Sequence, residues 1–214
     1  MKKGSKILML LLFTLLMIGC SNSKKKDDSK FKQKQYNLIK GLNQSQQGKY
    51  SKAIEFLLMS YSIDSKDTMV LRELAYNYWQ AGDIKNAERF YLEFLKINPN
   101  DSLVRFNLGT IYYNNEEYDK SLKLLEATNQ EIITNDIIAL VGYNYFGLKN
   151  YEKSYEILKS ISTKKTGDLY FSKVYGEVLL QTKRLGELHP YITKLYEANT
   201  NNPEVVYIYG KHLA

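Results

Sequence analysis

Cysteine, histidine and proline are scarce in this chain, which has one, two and three of them among 214 residues. With Cys20 alone, no disulfide can form within the chain and no metal site can be built from cysteine. His189 and His212 stand far enough apart in sequence to remove most histidine-based catalytic and metal sites. We therefore expect no enzymatic activity, no metal and no cofactor, while the scarcity of proline favours long helices.

Positive charge is concentrated at the N terminus. The formal net charge is +7, of which three charges come from lysines in the first nineteen residues, where no acidic residue occurs. A surface that binds nucleic acid needs lysines and arginines clustered on the folded body. The sequence beyond residue 31 shows no such cluster, and we expect no nucleic-acid partner.

The first nineteen residues have the pattern of a secretory signal. A basic start is followed by an apolar run from Ile7 to Ile18, interrupted only by Thr14. Twelve helical residues extend about 18 Å, which is too short for a hydrocarbon core of about 30 Å. The run is typical of a signal peptide rather than of a membrane-spanning helix.

The end of this run, Leu16-Met17-Ile18-Gly19-Cys20, resembles the lipobox of bacterial lipoproteins. The resemblance implies cleavage after residue 19 and lipidation of Cys20, which would attach the chain to a membrane through its N terminus. Residues 20–33 would then be the lipidated cysteine and a polar, flexible tether. The alternative is an ordinary signal peptide with an incidental cysteine.

Small residues recur at a nearly constant interval through the rest of the chain. One series is separated by 34, 34, 33, 34 and 34 residues: Gly41, Ala75, Gly109, Gly142, Gly176 and Gly210. A second series in the same register is Ala53, Ala87, Ser121 and Ser154. In the second period, Leu71, Leu74, Ala75 and Tyr78 fall on one helical face.

This period and these small positions resemble the tetratricopeptide repeat (TPR), a 34-residue pair of helices. The resemblance predicts an all-α fold, a solenoid of about five stacked helix-turn-helix pairs with a final capping helix, over residues 34–214. The repeats would begin near Lys34, Thr68, Ser102, Asn135 and Leu169, and the last helix near Pro203. Each small residue is expected to let two helices approach closely, because glycine inside a helix otherwise costs about 1 kcal/mol. Pro190 predicts that the second helix of the fifth repeat starts late, between Glu187 and His189.

In TPR proteins the first helices of the repeats line a concave groove that binds partners. Carried over position by position, the resemblance implies a groove that is rich in aromatic side chains. We select Arg72, Tyr76, Trp79, Phe106, Tyr113, Tyr143 and Phe146 as candidate partner-binding residues. The alternative is that these aromatic side chains pack between neighbouring helices.

The sequence therefore predicts a membrane-anchored scaffold that binds a protein or peptide in its concave groove. Architecture leaves three envelope roles open: assembly of outer-membrane proteins, assistance to a pilus secretin, and recruitment of peptidoglycan enzymes. Ser21 lacks the acidic character that retains enteric lipoproteins at the inner membrane, which favours the outer membrane, on its periplasmic face or at the cell surface. The alternative function is a surface lipoprotein that binds a host ligand or a glycan.

Overall fold

The computed structural model describes residues 27–128, 134–165, 167–198 and 200–213, and all regular secondary structure in these ranges is helical. Cys20, the signal segment and residues 21–26 of the tether lie outside the described residues. The helices that the described ranges contain are α1 (27–46), α2 (Tyr50–Ile63), α3 (Thr68–Gln80), α4 (Ile84–Ile97), α5 (Ser102–Asn114), α6 (Tyr118–Glu126), α7 (Asn135–Gly147), α8 (Tyr151–Lys159), α9 (Leu169–Gln181), α10 (Leu185–Ala198) and α11 (Pro203–Leu213). The predicted all-α fold of helix pairs followed by a single final helix is confirmed.

The helices form two compact units, which divide between Pro99 and Asn100. In the first unit, α2 packs on α3 and α3 on α4, around a core that contains Leu57, Leu74 and Phe90. In the second unit each helix from α5 to α11 packs on the next one along the chain, and α7 also contacts α5 and α9. Its core joins side chains of successive helix pairs, including Leu158 and Phe171.

Each odd-numbered helix from α3 to α9 begins at a side-chain cap. Asp67, Asp101, Thr134 and Asp168 each accept a hydrogen bond from a backbone N–H of the first turn. A capping residue of this kind satisfies one of the N–H groups that a helix start leaves without a partner. The caps recur at the repeat interval and fix where each pair of helices starts.

The turn inside every helix pair contains one residue with positive φ. Gly48 and Gly82 take this conformation without a Cβ, whereas Glu116, Lys149 and Lys183 adopt it as ordinary residues, with φ between 56° and 61°. In the third turn, Glu116 N–H donates to the carbonyl of Tyr113 and Glu117 N–H to that of Tyr112. This is the hydrogen-bond pattern of a helix that ends in a left-handed residue.

The small residues of the first series lie where the two helices of a pair cross. A Cβ added to Gly41 would stand 2.7 Å from Cγ of Leu57, and one added to Gly109 would stand 3.0 Å from Cδ2 of Leu125. A Cβ on Gly142 would overlap the side chain of Leu158. Gly210 differs, because open space surrounds it. The packing reason predicted for the series is therefore wrong for Gly210.

The start of the folded chain differs from the prediction. Residues 27–33, which we expected in a flexible tether, form the first two turns of α1. Asp27 and Asp28 stand in the first turn, where negative charge is favourable. Asp28 also pairs with Lys32 one turn later, with 3.1 Å between Oδ2 and Nζ.

The predicted late start of α10 is also wrong. The helix begins at Leu185, and the N–H of Leu188 donates to the carbonyl of Arg184. Pro190 lies inside the helix and cannot donate a hydrogen bond to the carbonyl of Gly186. Both residues are exposed, so water can satisfy that carbonyl.

We predict that Gly142→Ala lowers the free energy of unfolding and that Gly210→Ala does not. The added methyl group at residue 142 must displace Leu158, which costs about 1–3 kcal/mol and outweighs the gain of about 1 kcal/mol in helix propensity. At residue 210 only the gain in propensity remains. Thermal and urea denaturation of both variants against the wild type will measure the difference, and equal stability of the two variants would contradict the crossing contact.

Candidate functional site

The second unit has a cleft formed by α5, α7 and α9, each of which is the first helix of a helix pair. Its volume is about 310 Å³. The cleft is lined by Phe106, Thr110, Tyr113, Asn114, Asp136, Ala139, Leu140, Tyr143, Lys165, Asp168 and Tyr170. Phe106 and Tyr113 come from α5, Ala139 and Tyr143 from α7, and Tyr170 from α9.

Three tyrosines form the aromatic part of the cleft. Tyr143 is 8% exposed, and its ring meets that of Tyr170 edge-on at 5.1 Å between centroids. The ring of Tyr113 lies 6.2 Å from that of Tyr143. The hydroxyl oxygens of Tyr113 and Tyr170 are 2.5 Å apart, so one hydrogen bond joins α5 to α9 past α7.

A group of three charges lies beside these rings. Lys165 Nζ donates to Oδ1 of Asp136 at 2.5 Å and to Oδ2 of Asp168 at 3.2 Å. Asp168 is also the cap of α9, and Asp136 stands in the first turn of α7, so both carboxylates are positioned by helix starts. The hydrogen bond with Asp136, aided by Asp168, raises the pKa of Lys165 against the opposing effect of burial.

Burial raises the pKa values of two tyrosines of the cleft, Tyr113 and Tyr143. It raises the pKa of the Tyr143 hydroxyl far above the ordinary value, and the negative charge of Asp168 adds to the effect. Burial likewise raises the pKa of Tyr113, and the hydrogen bond with Tyr170 contributes in the same direction. Both hydroxyls therefore stay protonated and remain able to donate a hydrogen bond.

The structure brings together three of the seven predicted groove residues, Phe106, Tyr113 and Tyr143. Phe146 does not line the cleft, because its ring packs against Tyr151 with 5.7 Å between centroids. In the first unit, Tyr76 is 38% exposed on α3, Trp79 is partly exposed, and Arg72 pairs with the neighbouring Glu73 at 3.4 Å. The predicted residues thus divide between the two units.

Eight residues that line the cleft were not among the seven that we selected: Thr110, Asn114, Asp136, Ala139, Leu140, Lys165, Asp168 and Tyr170. Lys165 and Asp168 precede α9, in a connection whose path the repeat pattern does not specify. One signal was available, since an aspartate precedes α3, α5 and α9 at the repeat interval. The position predicts a helix cap, and only the structure shows that the cap also reaches the cleft.

A second cleft, of about 350 Å³, lies between α6, α7 and α8 and was not predicted. Its lining is mostly aliphatic and includes Leu125, Ile137, Val141 and Ile157, with Glu126 as its charged member. In sequence its lining residues stand on either side of residues 129–133, which lie outside the described ranges. We do not select it as the functional site.

Within the ranges that the structure describes, no group of three or more histidine, cysteine, aspartate or glutamate side chains is placed to hold a metal ion. In the same ranges no helix is long and apolar enough to cross a bilayer.

Comparison with known proteins identifies the repeats. Two family models, both described as tetratricopeptide repeat, match residues 73–101 and 90–123. In curated proteins, the chain is 24% identical over 177 residues to N-alpha-acetyltransferase 16, a NatA auxiliary subunit of Homo sapiens. The Mus musculus protein of the same description is 25% identical. The match covers 77% of this chain but only 20% of each relative, so the chain spans about a fifth of their length.

Solved structures show the same fold. MamA from Desulfovibrio magneticus RS-1 superposes with a TM-score of 0.72 over 80% of this chain and 97% of that one, at 17% identity. A thermophilic TPR protein from Thermus thermophilus superposes with a TM-score of 0.58 over 84% of this chain and 98% of that one, also at 17% identity. Residues 73–123 therefore contain tetratricopeptide repeats, and the described fold is that of TPR proteins.

We predict that Tyr143→Phe reduces the loss of stability in alkali. An unfolded tyrosine ionises near pH 10, whereas buried Tyr143 stays protonated. The unfolded state then binds fewer protons, so the free energy of unfolding falls as pH rises above about 10. Phenylalanine keeps the ring and removes this contribution.

Urea denaturation of both proteins over a series of pH values will test this. The two should have similar stability near neutral pH and diverge in alkali. Since Lys165 is common to both, its deprotonation cancels from the difference. Parallel curves throughout would show that Tyr143 ionises equally well in the folded chain.

Proposed function

We propose that this protein is a membrane-anchored scaffold that binds a protein or peptide partner in the cleft of its second unit. The observation that carries the proposal is an open cleft on the first-helix side of a TPR fold, with aromatic rings beside polar groups. TPR domains generally bind protein partners, and this fold is typically non-catalytic. We therefore propose a binding role and no enzymatic activity.

The cleft has the composition of a site for a short stretch of polypeptide. Phe106, Ala139 and Leu140 supply apolar surface, and the Tyr170 side chain is 50% exposed. Aromatic rings contribute large contact areas at low cost in side-chain entropy. Thr110 and Asn114 add groups that can hydrogen-bond a peptide backbone. An extended peptide or a helix with one apolar face fits this arrangement.

Anchoring rests on the N-terminal sequence. The lipobox-like residues before Cys20 support lipidation there, and the first described helix begins shortly afterwards, at residue 27. We propose that the protein is held in the cell envelope of a bacterium, with the outer membrane favoured. Three roles remain open: assembly of outer-membrane proteins, assistance to a pilus secretin and recruitment of peptidoglycan enzymes. Identification of the partner would decide among them.

A glycan or host ligand is the second candidate. The exposed Tyr170 ring lies near the carboxylate of Asp136 and the amide of Asn114 in the same cleft. A ring that stacks on a sugar beside acceptors for its hydroxyls is a common arrangement. Protease treatment of intact cells distinguishes the two, because a periplasmic scaffold is protected whereas a surface protein is cleaved.

We predict that Phe106→Ala combined with Tyr170→Ala weakens partner binding at least about tenfold, because contact residues of this kind each contribute about 1–2 kcal/mol or more. The partner is first recovered by mild crosslinking in the native cell and identified by mass spectrometry. Its affinity for the purified wild type and the variant is then measured by calorimetry.

The matched control replaces two exposed side chains outside the cleft, Leu185→Ala with Tyr207→Ala. This control should bind as the wild type does. A third variant, Trp79→Ala, tests the first unit by the same assay. If the cleft variant retains wild-type affinity while Trp79→Ala loses it, the binding surface lies in the first unit and our assignment of the cleft is wrong.

We predict that Cys20→Ser abolishes lipidation and releases the protein from the membrane fraction. Several acyl chains, each contributing about 0.8 kcal/mol per buried CH₂, would otherwise hold it there. Metabolic labelling with an alkyne fatty acid, followed by fractionation of the cells, measures both effects. Label on the serine variant would exclude Cys20 as the lipidation site.

A further inference from the structure

The first helix of the folded chain exposes three large apolar side chains to solvent. On α1, Phe31, Tyr36 and Ile39 are 56%, 54% and 55% exposed. Tyr36 and Ile39 stand apart from the side of α1 that packs inward, which holds Asn37, Leu38 and Gly41. An exposed apolar group of this kind at one edge of a unit indicates an interaction surface.

Lysines surround these side chains. Lys30, Lys32 and Lys40 are exposed on the same helix, and the ammonium of Lys40 lies 5.6 Å from the centre of the Tyr36 ring. At 100° per residue, Lys32, Tyr36, Ile39 and Lys40 fall within one third of the helix circumference. Phe31 lies about 80° further round the helix from Ile39, and the Lys34 ammonium is 5.7 Å from the centre of its ring. We call the half of the helix surface that holds Phe31, Lys32, Tyr36, Ile39 and Lys40 the α1 face. Lys34 does not belong to it, because its ammonium is held by Asp64 and Asp67. Lys32 is paired with Asp28 on the same side of α1, so the net positive charge of this face comes from Lys40.

Charge is distributed very unevenly along the mature chain. Residues 21–52 contain nine lysines and two aspartates, a formal net charge of +7. Residues 53–214 contain 18 basic and 21 acidic side chains, a net charge of −3. The positive charge of the protein is thus concentrated in the segment before α1, on α1 and at the start of α2.

We infer that the α1 face docks onto an anionic lipid bilayer. The inference rests on the proposed membrane anchor, and it adds that the folded body itself contacts the membrane. Residues 21–26 span at most about 20 Å when extended, so a lipid on Cys20 holds α1 close to the head groups. Aromatic and aliphatic side chains flanked by lysine are the composition of an interfacial helix surface.

A second copy of the chain fits this face less well. A symmetric dimer brings the same patch of two copies together, which would gather Lys32 and Lys40 of both copies in one interface. Anionic head groups instead complement the positive charge of these lysines at the membrane surface. Charge complementarity therefore selects the bilayer.

Vesicle binding by the unlipidated chain 21–214, which contains every described residue, tests the inference. The probes are vesicles of phosphatidylcholine alone and of phosphatidylcholine with phosphatidylglycerol, measured by co-sedimentation. The wild type should bind the anionic vesicles at least about tenfold more strongly. The variant Phe31→Ser, Tyr36→Ser, Ile39→Ser should lose at least about tenfold of that affinity, since each side chain no longer enters the interface.

Two further variants separate the contribution of the lysine charges from that of the apolar side chains. Replacing Lys30, Lys32 and Lys40 by glutamine should weaken binding to anionic vesicles only, and added salt should reproduce part of that loss. The control Leu185→Ser with Tyr207→Ser removes equally exposed apolar groups from the second unit and should bind as the wild type does. Circular dichroism verifies that each variant remains folded.

Three results would overturn the inference: equal binding to both kinds of vesicle, full binding by the serine variant of the α1 face, or a wild-type dimer that this variant converts to a monomer. The last result would assign the face to self-association. Because the assay uses no lipid on Cys20 and no partner, its failure leaves the anchor and the cleft untouched. If the labelling or partner-binding experiments fail, the vesicle assay still tests the α1 face independently.

Discussion

The structure depends on one contact that recurs inside the helix pairs, a glycine backbone of the first helix against a leucine of the second. Gly41 meets Leu57, Gly109 meets Leu125 and Gly142 meets Leu158. Because the glycine has no Cβ, the leucine side chain lies directly on the helix backbone, and the rotation of both helices about their axes is fixed. That rotation determines which side chains of α5, α7 and α9 face the cleft, so the site is a consequence of the crossing.

The same crossing provides hydrogen-bond partners for the buried hydroxyls of the second helices. Ser121 and Ser154 occupy the small positions of their second helices, and their hydroxyls donate to the carbonyls of Gly109 and Gly142 at 2.9 and 2.8 Å. The Asn144 amide then donates to Ser121 Oγ at 3.0 Å, from the next repeat. Burying a hydroxyl without a hydrogen bond costs free energy. These hydrogen bonds therefore favour both the packing of two helices within a pair and the packing of that pair against the next repeat.

The repeat period of the sequence is sufficient to predict most of these helix pairs. The resemblance to the tetratricopeptide repeat, applied to the spacing of the small residues, predicted starts at Thr68, Ser102, Asn135, Leu169 and Pro203, and the structure has helices that begin at those residues. It could not predict α1 from residue 27, because the Asp28–Lys32 pair and the acidic first turn act locally and outside the repeat. Nor could it predict the Tyr113–Tyr170 bond, since those residues are 57 positions apart and meet only through the geometry of α7 between them.

Local packing also allows the two proposed surfaces to be modified independently. The α1 face belongs to the first unit and the cleft to the second, and each helix pair is stabilised mainly by its immediate neighbours. Substitutions of exposed residues on α1 remove no buried contact of the second unit, whose core begins beyond Pro99. Substitutions in the α1 face and substitutions in the cleft can thus be made separately, while the glycine–leucine crossings keep the helix pairs unchanged.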